Sequence, residues 1–272
     1  MGLLNTLIFD GKALSEFGVF LGGDGAFNSP ARIGEMIHIP GRNGSLWMDE
    51  NCFENIEVTY PAFIGTQTES DFSTQLMEVR SWLGSREGYC RLEDTYHPDE
   101  YRLAVFKAAV ETTPIQYTRA GNFDIVFDAK PQRFLKAGDE PVAFYSNGTI
   151  TNPTLFESLP IIAVTGNGRV NVAGHVFAVS DTTQTIYIDS ELMEVYIPGH
   201  ELEYLTEENT LVITDELMLP LEIHRSNRNA INMNSHVSFN DYEFPRIGLG
   251  EQTVAFDSGI ESVVIYPRWW RL

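Results

Sequence analysis

The residues best equipped for chemistry are six histidines, a set of paired carboxylates and a tandem tryptophan. His200-Glu201 opens like the zinc-protease pattern, in which two histidines one helical turn apart hold the metal and the glutamate acts as base. Tyr204 stands where the second histidine belongs, so that pattern fails. The other histidines, His38, His97, His175, His224 and His236, are scattered and read as surface or structural residues. Glu93-Asp94, Asp99-Glu100, Glu207-Glu208 and Asp215-Glu216 each resemble half of a glycosidase acid and base pair. Nothing in the sequence separates two of them from ordinary solvated loop charges. Trp269-Trp270 offers ring faces on which a sugar stacks, or equally an anchor for a terminal strand. There is no Gly-x-Ser-x-Gly elbow, phosphate-binding loop or calcium loop. These observations specify no catalyst and call for no cofactor or metal. The chain reads as a non-enzymatic assembly subunit.

The elements that would carry such residues are mostly strands. The chain has 272 residues and 43% hydrophobic content, enough for two cores. It is rich in Phe and Tyr, and its 22 Gly and 13 Pro are spread so as to interrupt long helices. In the first half, Leu3 to Phe9, Ile33 to Ile39, Ile56 to Ile64, Tyr89 to Leu92, Tyr101 to Val110 and Phe123 to Phe127 read as strands. Gly41-Arg42-Asn43-Gly44 suits a hairpin turn, with the return starting at Leu46-Trp47. Pro61 predicts that its strand lies at a sheet edge or a bulge, because proline donates no ladder hydrogen bond. One amphipathic helix is expected from about Ser70 to Leu83, with Phe72, Leu76, Val79 and Leu83 on the face that packs on a sheet.

Residues 131 to 153 lose this periodicity, and the domain boundary is placed near Asn147, giving modules 1–146 and 147–272. The second module shows short strands at Ile161 to Val164, Arg169 to Val172, Val176 to Val179, Thr185 to Ile188, Val195 to Ile197, Val254 to Phe256 and Ser262 to Tyr266. Short strands between Gly, Asn and Asp turns describe a sandwich or jelly roll. An acidic segment around residues 198–231 contains Glu201, Glu203, Glu207 and Glu208, and its strand-like runs at Leu211 to Thr214 and Leu219 to His224 suggest an added hairpin.

With 18 basic and 38 acidic residues, the formal charge is −20, spread over both halves. Such a chain repels phosphate backbones, which disfavours direct nucleic-acid binding. No apolar run is long enough for a membrane span. Cys52 and Cys90 lack a metal-like spacing, and the opening residues lack the basic and apolar regions of a signal peptide. Synthesis in a reducing cytoplasm with free thiols is expected. The sequons at Asn43 and Asn147 then read as turns.

Several phrases, in order, resemble the distal tail protein family of siphophage-type tails and related prophage elements. They include Leu7-Ile8-Phe9-Asp10-Gly11, Ile37 to Leu46 with Pro40-Gly41-Arg42-Asn43-Gly44 at its centre, and Phe123 to Phe127 leading to Pro131-Gln132-Arg133-Phe134. The second half continues with Thr149 to Thr154, Pro160 to Gly168, Ile186 to Glu191, Phe244-Pro245, and Ile265-Tyr266-Pro267-Arg268-Trp269. The resemblance implies a mainly β chain with an N-terminal β-sandwich ring domain carrying one packed helix, and a C-terminal galectin-like or jelly-roll β-sandwich. It implies a ring, usually a hexamer, at the distal end of a virion tail, joining the tail tube protein to a tail-tip or receptor-binding protein, with assembly in the host cytoplasm. Acidic groups facing the lumen of such a ring would let DNA pass without sticking.

Two surfaces are candidates for those contacts. The first is the hairpin of Ile39, Pro40, Gly41, Arg42, Asn43, Gly44, Leu46 and Trp47, as a ring contact or simply a tight intramolecular turn. The second is the acidic insertion with Glu201, Glu203, Glu207 and Glu208, as a docking site for a partner or a plain surface elaboration. The competing readings are a carbohydrate-binding adhesion module using Trp269 or Trp270 and, behind it, a glycoside hydrolase.

Overall fold

A computed structural model describes residues 5–23, 25, 27–107, 112–115, 119–198, 203–204, 211–212, 231–240 and 242–272. The chain divides into two compact units, Met1–Arg133 together with Leu272, and Phe134–Arg271. Both are built from curled antiparallel sheets.

In the first unit the strands are β1 (Leu7–Phe9), β2 (Lys12–Ala13), β3 (Val19–Leu21), β4 (Arg32–His38), β5 (Ser45–Phe53), β6 (Ile56–Gly65), β7 (Cys90–Asp94), β8 (Glu100–Phe106), β9 (Thr112–Ile115) and β10 (Ala120–Ala129), with helix α1 (Glu69–Gly84) between β6 and β7. The main sheet runs β2-β1-β7-β8-β10-β6-β3, and β9 also pairs with β10. β6 and β10 pair without a break from Ile56↔Ala129 to Gly65↔Ala120. Along β6 every second residue is buried, as a sheet with one face on a core requires.

That core is covered by α1. Phe72, Leu76, Val79 and Leu83 are all buried, as their helical spacing predicts, and Trp82 joins them. Thr68 caps the helix, its side chain accepting from the Asp71 N–H at 3.1 Å. Trp82 stacks on Phe17 with ring centroids 4.9 Å apart and meets Phe9 edge-on at 6.2 Å.

Pro61 corrects one expectation. Its strand is interior, paired with β10 on one side and β3 on the other, and carries no bulge. The Pro61 carbonyl accepts from the Gly22 N–H at 2.8 Å, so the ring nitrogen on that same side of the strand also faces the end of β3. Registered pairing with β3 has already stopped at Ala62, and the β10 ladder loses no donor.

The second unit is a two-sheet sandwich. β11 (Arg133–Leu135) straddles the division, and β12 (Val142–Phe144), β13 (Gly148–Asn152), β14 (Ile161–Gly166), β15 (Gly168–Val172), β16 (His175–Val179), β17 (Ile186–Asp189) and β18 (Glu194–Ile197) follow. After them come β19 (Glu203–Tyr204), β20 (Leu211–Val212), β21 (Ile231–Asn232), β22 (Val237–Phe239), β23 (Gly250–Phe256), β24 (Ile260–Tyr266) and β25 (Trp270–Arg271). One sheet runs β12-β24-β14-β17-β18-β21 and the other β13-β23-β15-β16-β22. Their inner faces share a core that includes Ile162, Ile188 and Ile265 from one sheet and Val170, Phe177 and Val254 from the other. β12 lies ahead of residue 147 yet pairs with β24 inside this unit.

Three tyrosines of this unit, Tyr187, Tyr196 and Tyr266, hold their protons more tightly than a free tyrosine, chiefly because burial penalises the phenolate. Tyr266 is pushed up to about 12. The unfolded chain releases these protons near the ordinary value of about 10, while the folded chain retains them. Folding stability is therefore intact below pH 10 and falls as pH rises from there through the folded values, by up to about 1.4 kcal/mol per pH unit for each tyrosine. Urea titrations at stepped pH, with tyrosinate absorbance read alongside, are expected to show the loss and the delayed ionisation together; flat stability from pH 9 to 12 would contradict it.

Candidate functional site

Among the described residues the strands of the β4–β5 hairpin pair only with each other, as a two-stranded sheet of their own. Its turn begins one step earlier than the sequence cue. The Arg42 N–H donates to the Ile39 carbonyl at 3.1 Å, with Pro40 and Gly41 at the two central positions and Gly41 at φ +81°. Proline fixes the first central φ and glycine supplies the positive second one, the requirements of a type II turn. All eight candidate residues, Ile39, Pro40, Gly41, Arg42, Asn43, Gly44, Leu46 and Trp47, are solvent-exposed.

Farther along the hairpin, Gly34 earns its place by contact. A Cβ there would lie 2.3 Å from the Trp47 indole, so the ring lies against bare backbone. Below it the register shifts between Arg32 and Gly34, with Asn51 at φ +55°. Arg32 holds the irregularity through an ion pair to Asp49 at 2.5 Å, and the Asn51 N–H donates to the same carboxylate at 2.9 Å. The hydrogen bond from Arg32 holds the Asp49 carboxyl below the usual carboxylate range. A bulge fixed this way re-aims the outer part of the hairpin.

Both faces of the hairpin expose apolar residues, beside His38, Ser45 and Asp49 on one and Glu35 on the other. Met36 pairs with Trp47 on one face, while Ile37, Leu46 and Met48 lie on the other. Met36 is 65% exposed, Met48 58% and Trp47 41%. A solvated sheet normally keeps one face polar, as the outer face of β10 does with Asn122, Asp124 and Asp128. Clustered apolar exposure of this kind marks an interaction surface.

The second candidate, the acidic insertion, is only touched by the described residues. The backbone of Glu203 pairs with Val212. Glu201, Glu207, Glu208 and the run Leu219 to His224 lie outside the described residues.

Of the other residues singled out for chemistry, Glu93, Asp94, His97, Glu100, Trp269 and Trp270 are engaged structurally, and His200, Asp215 and Glu216 lie outside the described residues. Asp94 accepts from the Tyr60 hydroxyl at 2.7 Å and from the His97 N–H at 2.8 Å, and lies 3.0 Å from His97 Nδ1. Arg91 pairs with Glu93 at 2.5 Å, and Arg133 approaches the buried Glu100 at 3.5 Å. Glu93-Asp94 and Glu100 are thus not free loop charges. They line or adjoin a cleft of about 10 Å³ with Arg102, room for about one water and no substrate. Burial and the neighbouring Arg133 charge pull the Arg102 guanidinium down to about 10. Trp269 is buried in the second core, leaving no ring face for a sugar, and Trp270 stacks on Phe156 at 4.3 Å. Among the described residues no group of three or more metal-ligating side chains converges. Cys52 is exposed and Cys90 is buried, and neither is in a disulfide.

No protein-family model matches the sequence, and no curated relative does. Solved structures do match. The structure described as SPP1 Dit, a paradigm of hub adsorption apparatus in Gram-positive infecting phages, aligns at a TM-score of 0.67 over 99% of this chain and 100% of that one, with 11% identity. The chain has a Dit-like fold. Two structures of the phage P2 baseplate in its activated conformation, with Ca and with Sr, align at TM-scores of 0.52 and 0.51, each at 10% identity over 97% of this chain.

Proposed function

We propose that this chain is a structural subunit of a phage tail hub. Copies close into a ring, of six in the form the sequence resemblance implies, and the ring joins the tail tube protein to the tail-tip or receptor-binding protein. The first unit builds the ring with the hairpin around Ile39 to Trp47 as a contact, and the second offers its acidic insertion as a docking surface. The subunit works without catalysis or cofactor and resides in the virion after assembly in the host cytoplasm.

The observation that carries this reading is the end-to-end match of both units to a single hub protein. A likeness confined to one sandwich would fit any adhesion module. The uncovered hairpin supports it, since a subunit that works by packing must expose apolar surface until it assembles.

Solution mass across concentration, followed by electron microscopy of tail particles, is expected to show a closed oligomer and a ring at the tube end. A chain that stays monomeric at every concentration and forms no ring in any tail particle would overturn the reading. The same images locate the channel: an acidic lining fits passage of DNA through the hub, and a net-basic lining contradicts it.

A further inference from the structure

We infer that Asn43-Gly44 is a site of spontaneous chemical modification: in the folded chain the Asn43 side-chain amide is converted to a carboxylate through a cyclic imide, while the fold holds the other Asn-Gly pairs unreactive. The inference goes beyond the tail-hub reading and does not depend on it.

The reaction needs no catalyst. The Gly44 backbone nitrogen attacks Cγ of Asn43; the new C–N bond closes the imide, the Cγ–Nδ2 bond breaks, and the proton lost by the Gly44 nitrogen leaves with Nδ2 as ammonia. Water then opens the ring at either carbonyl. One opening gives aspartate, the other isoaspartate, in which the main chain runs through the former side chain. Glycine on the C-terminal side favours the attack, because no Cβ shields the nitrogen.

The chain contains three such pairs, Asn43-Gly44, Asn147-Gly148 and Asn167-Gly168. All three asparagines are exposed, so access to water does not tell them apart. Their bonding does. Asn147 Oδ1 accepts from the Phe256 N–H at 3.0 Å, and Gly148 stands opposite Val254 in the β13–β23 ladder. Asn167 is held at both ends of its amide: Oδ1 accepts from the Thr182 N–H at 3.0 Å, and Nδ2 donates to the Thr182 carbonyl at 2.8 Å. Gly168 stands opposite Val179 in the β15–β16 ladder. Either pair must break these bonds and open a strand end before it can react. Asn43 has no side-chain hydrogen bond among the described residues, and Gly44 lies beyond the hairpin ladder, whose last pair is His38 with Ser45. A Cβ at Gly44 would meet nothing within 4 Å, so the turn leaves room for the ring to close.

The product changes the tip of the hairpin. A neutral amide becomes a negative charge next to Arg42, and isoaspartate adds a methylene group to the main chain just where the return strand begins.

The test is a time course on the full chain in mildly alkaline buffer, folded and in guanidinium chloride. Cleavage at glutamate afterwards places the three pairs on separate peptides, 36–50, 141–157 and 158–191. Mass spectrometry reads the fraction of each peptide in which amide has become acid. In the folded chain, conversion at Asn43 is expected to run roughly tenfold or more faster than at Asn147 or Asn167, because those react only from locally opened states. In denaturant the gap is expected to close. N43Q, which keeps an amide on a longer side chain, is expected to abolish the gain in peptide 36–50 and leave the other two peptides unchanged.

Conversion at Asn43 no faster than at Asn147 and Asn167 in the folded chain overturns the inference. So does a gap of the same size in denaturant, which would assign the difference to neighbouring residues and not to the fold.

Discussion

Replacing Arg268 with alanine is expected to cost the second unit about 3–5 kcal/mol, by leaving a buried carboxylate without its guanidinium. Arg268 donates through both terminal nitrogens to Asp189, at 2.9 and 3.0 Å, with side-chain exposures of 7% and 1%. Asp189 Oδ1 also accepts from the backbone N–H groups of Glu191 and Leu192, so the pair ties the residues just before β25 to the turn joining β17 and β18. The cost arises from stranding one partner, not from the net worth of the pair. Arg268→Met with Asp189→Leu is therefore expected to be less damaging than Arg268→Ala alone. Urea midpoints for the two singles and the double decide it. A loss below about 1 kcal/mol for Arg268→Ala would mean that solvent reaches Asp189 and that the pair is worth no more than a surface one.

The first unit has its most sensitive point at Phe127, where truncation to alanine is expected to cost about 3–5 kcal/mol. The ring is fully buried and contacts Phe9 at 4.9 Å, Phe106 at 5.8 Å and Tyr60 at 6.2 Å between centroids. Its backbone lies between Val58 on β6 and Phe106 on β8, within the sheet interior. Three aromatic neighbours held on β1, β6 and β8 cannot close over the vacancy without moving strands, so the cavity persists. Phe127→Leu, which keeps most of the volume, is expected to cost about 1.5 kcal/mol. Thermal melts read by far-ultraviolet circular dichroism separate the two outcomes. An alanine variant as stable as the leucine variant would show that the aromatic cluster relaxes.

Much of the architecture is legible in the residues because buried positions recur with a period. Phe72, Leu76, Val79 and Leu83 mark the helix face, and the short runs between 161 and 197 coincide with β14 to β18. Elements without a period were not legible. β12 and β25 are two or three residues long and owe their pairing to β24 and β11, partners remote in sequence. Pro61 misdirected the topology because its effect depends on which side of the strand the ring nitrogen faces. Arg268 and Asp189 lie 79 residues apart, and no local spacing links them. The hairpin was visible as a turn flanked by apolar residues. That both its faces stay uncovered follows only from the register.

The isolation of β4 and β5 from the main sheet also has a thermodynamic side. A lone two-stranded hairpin is marginal in water, so its amide protons are expected to exchange faster than those of the neighbouring β6 ladder while the subunit is free. If the hairpin makes the ring contact proposed above, docking must supply the ordering of the arm as well as the contact. Association is therefore expected to release heat, oppose itself in entropy and carry a large negative heat-capacity change from burial of Met36, Leu46, Trp47 and Met48. The contact would thus loosen as temperature rises, while copies with undocked arms carry an open strand edge that favours crowding into disordered aggregates.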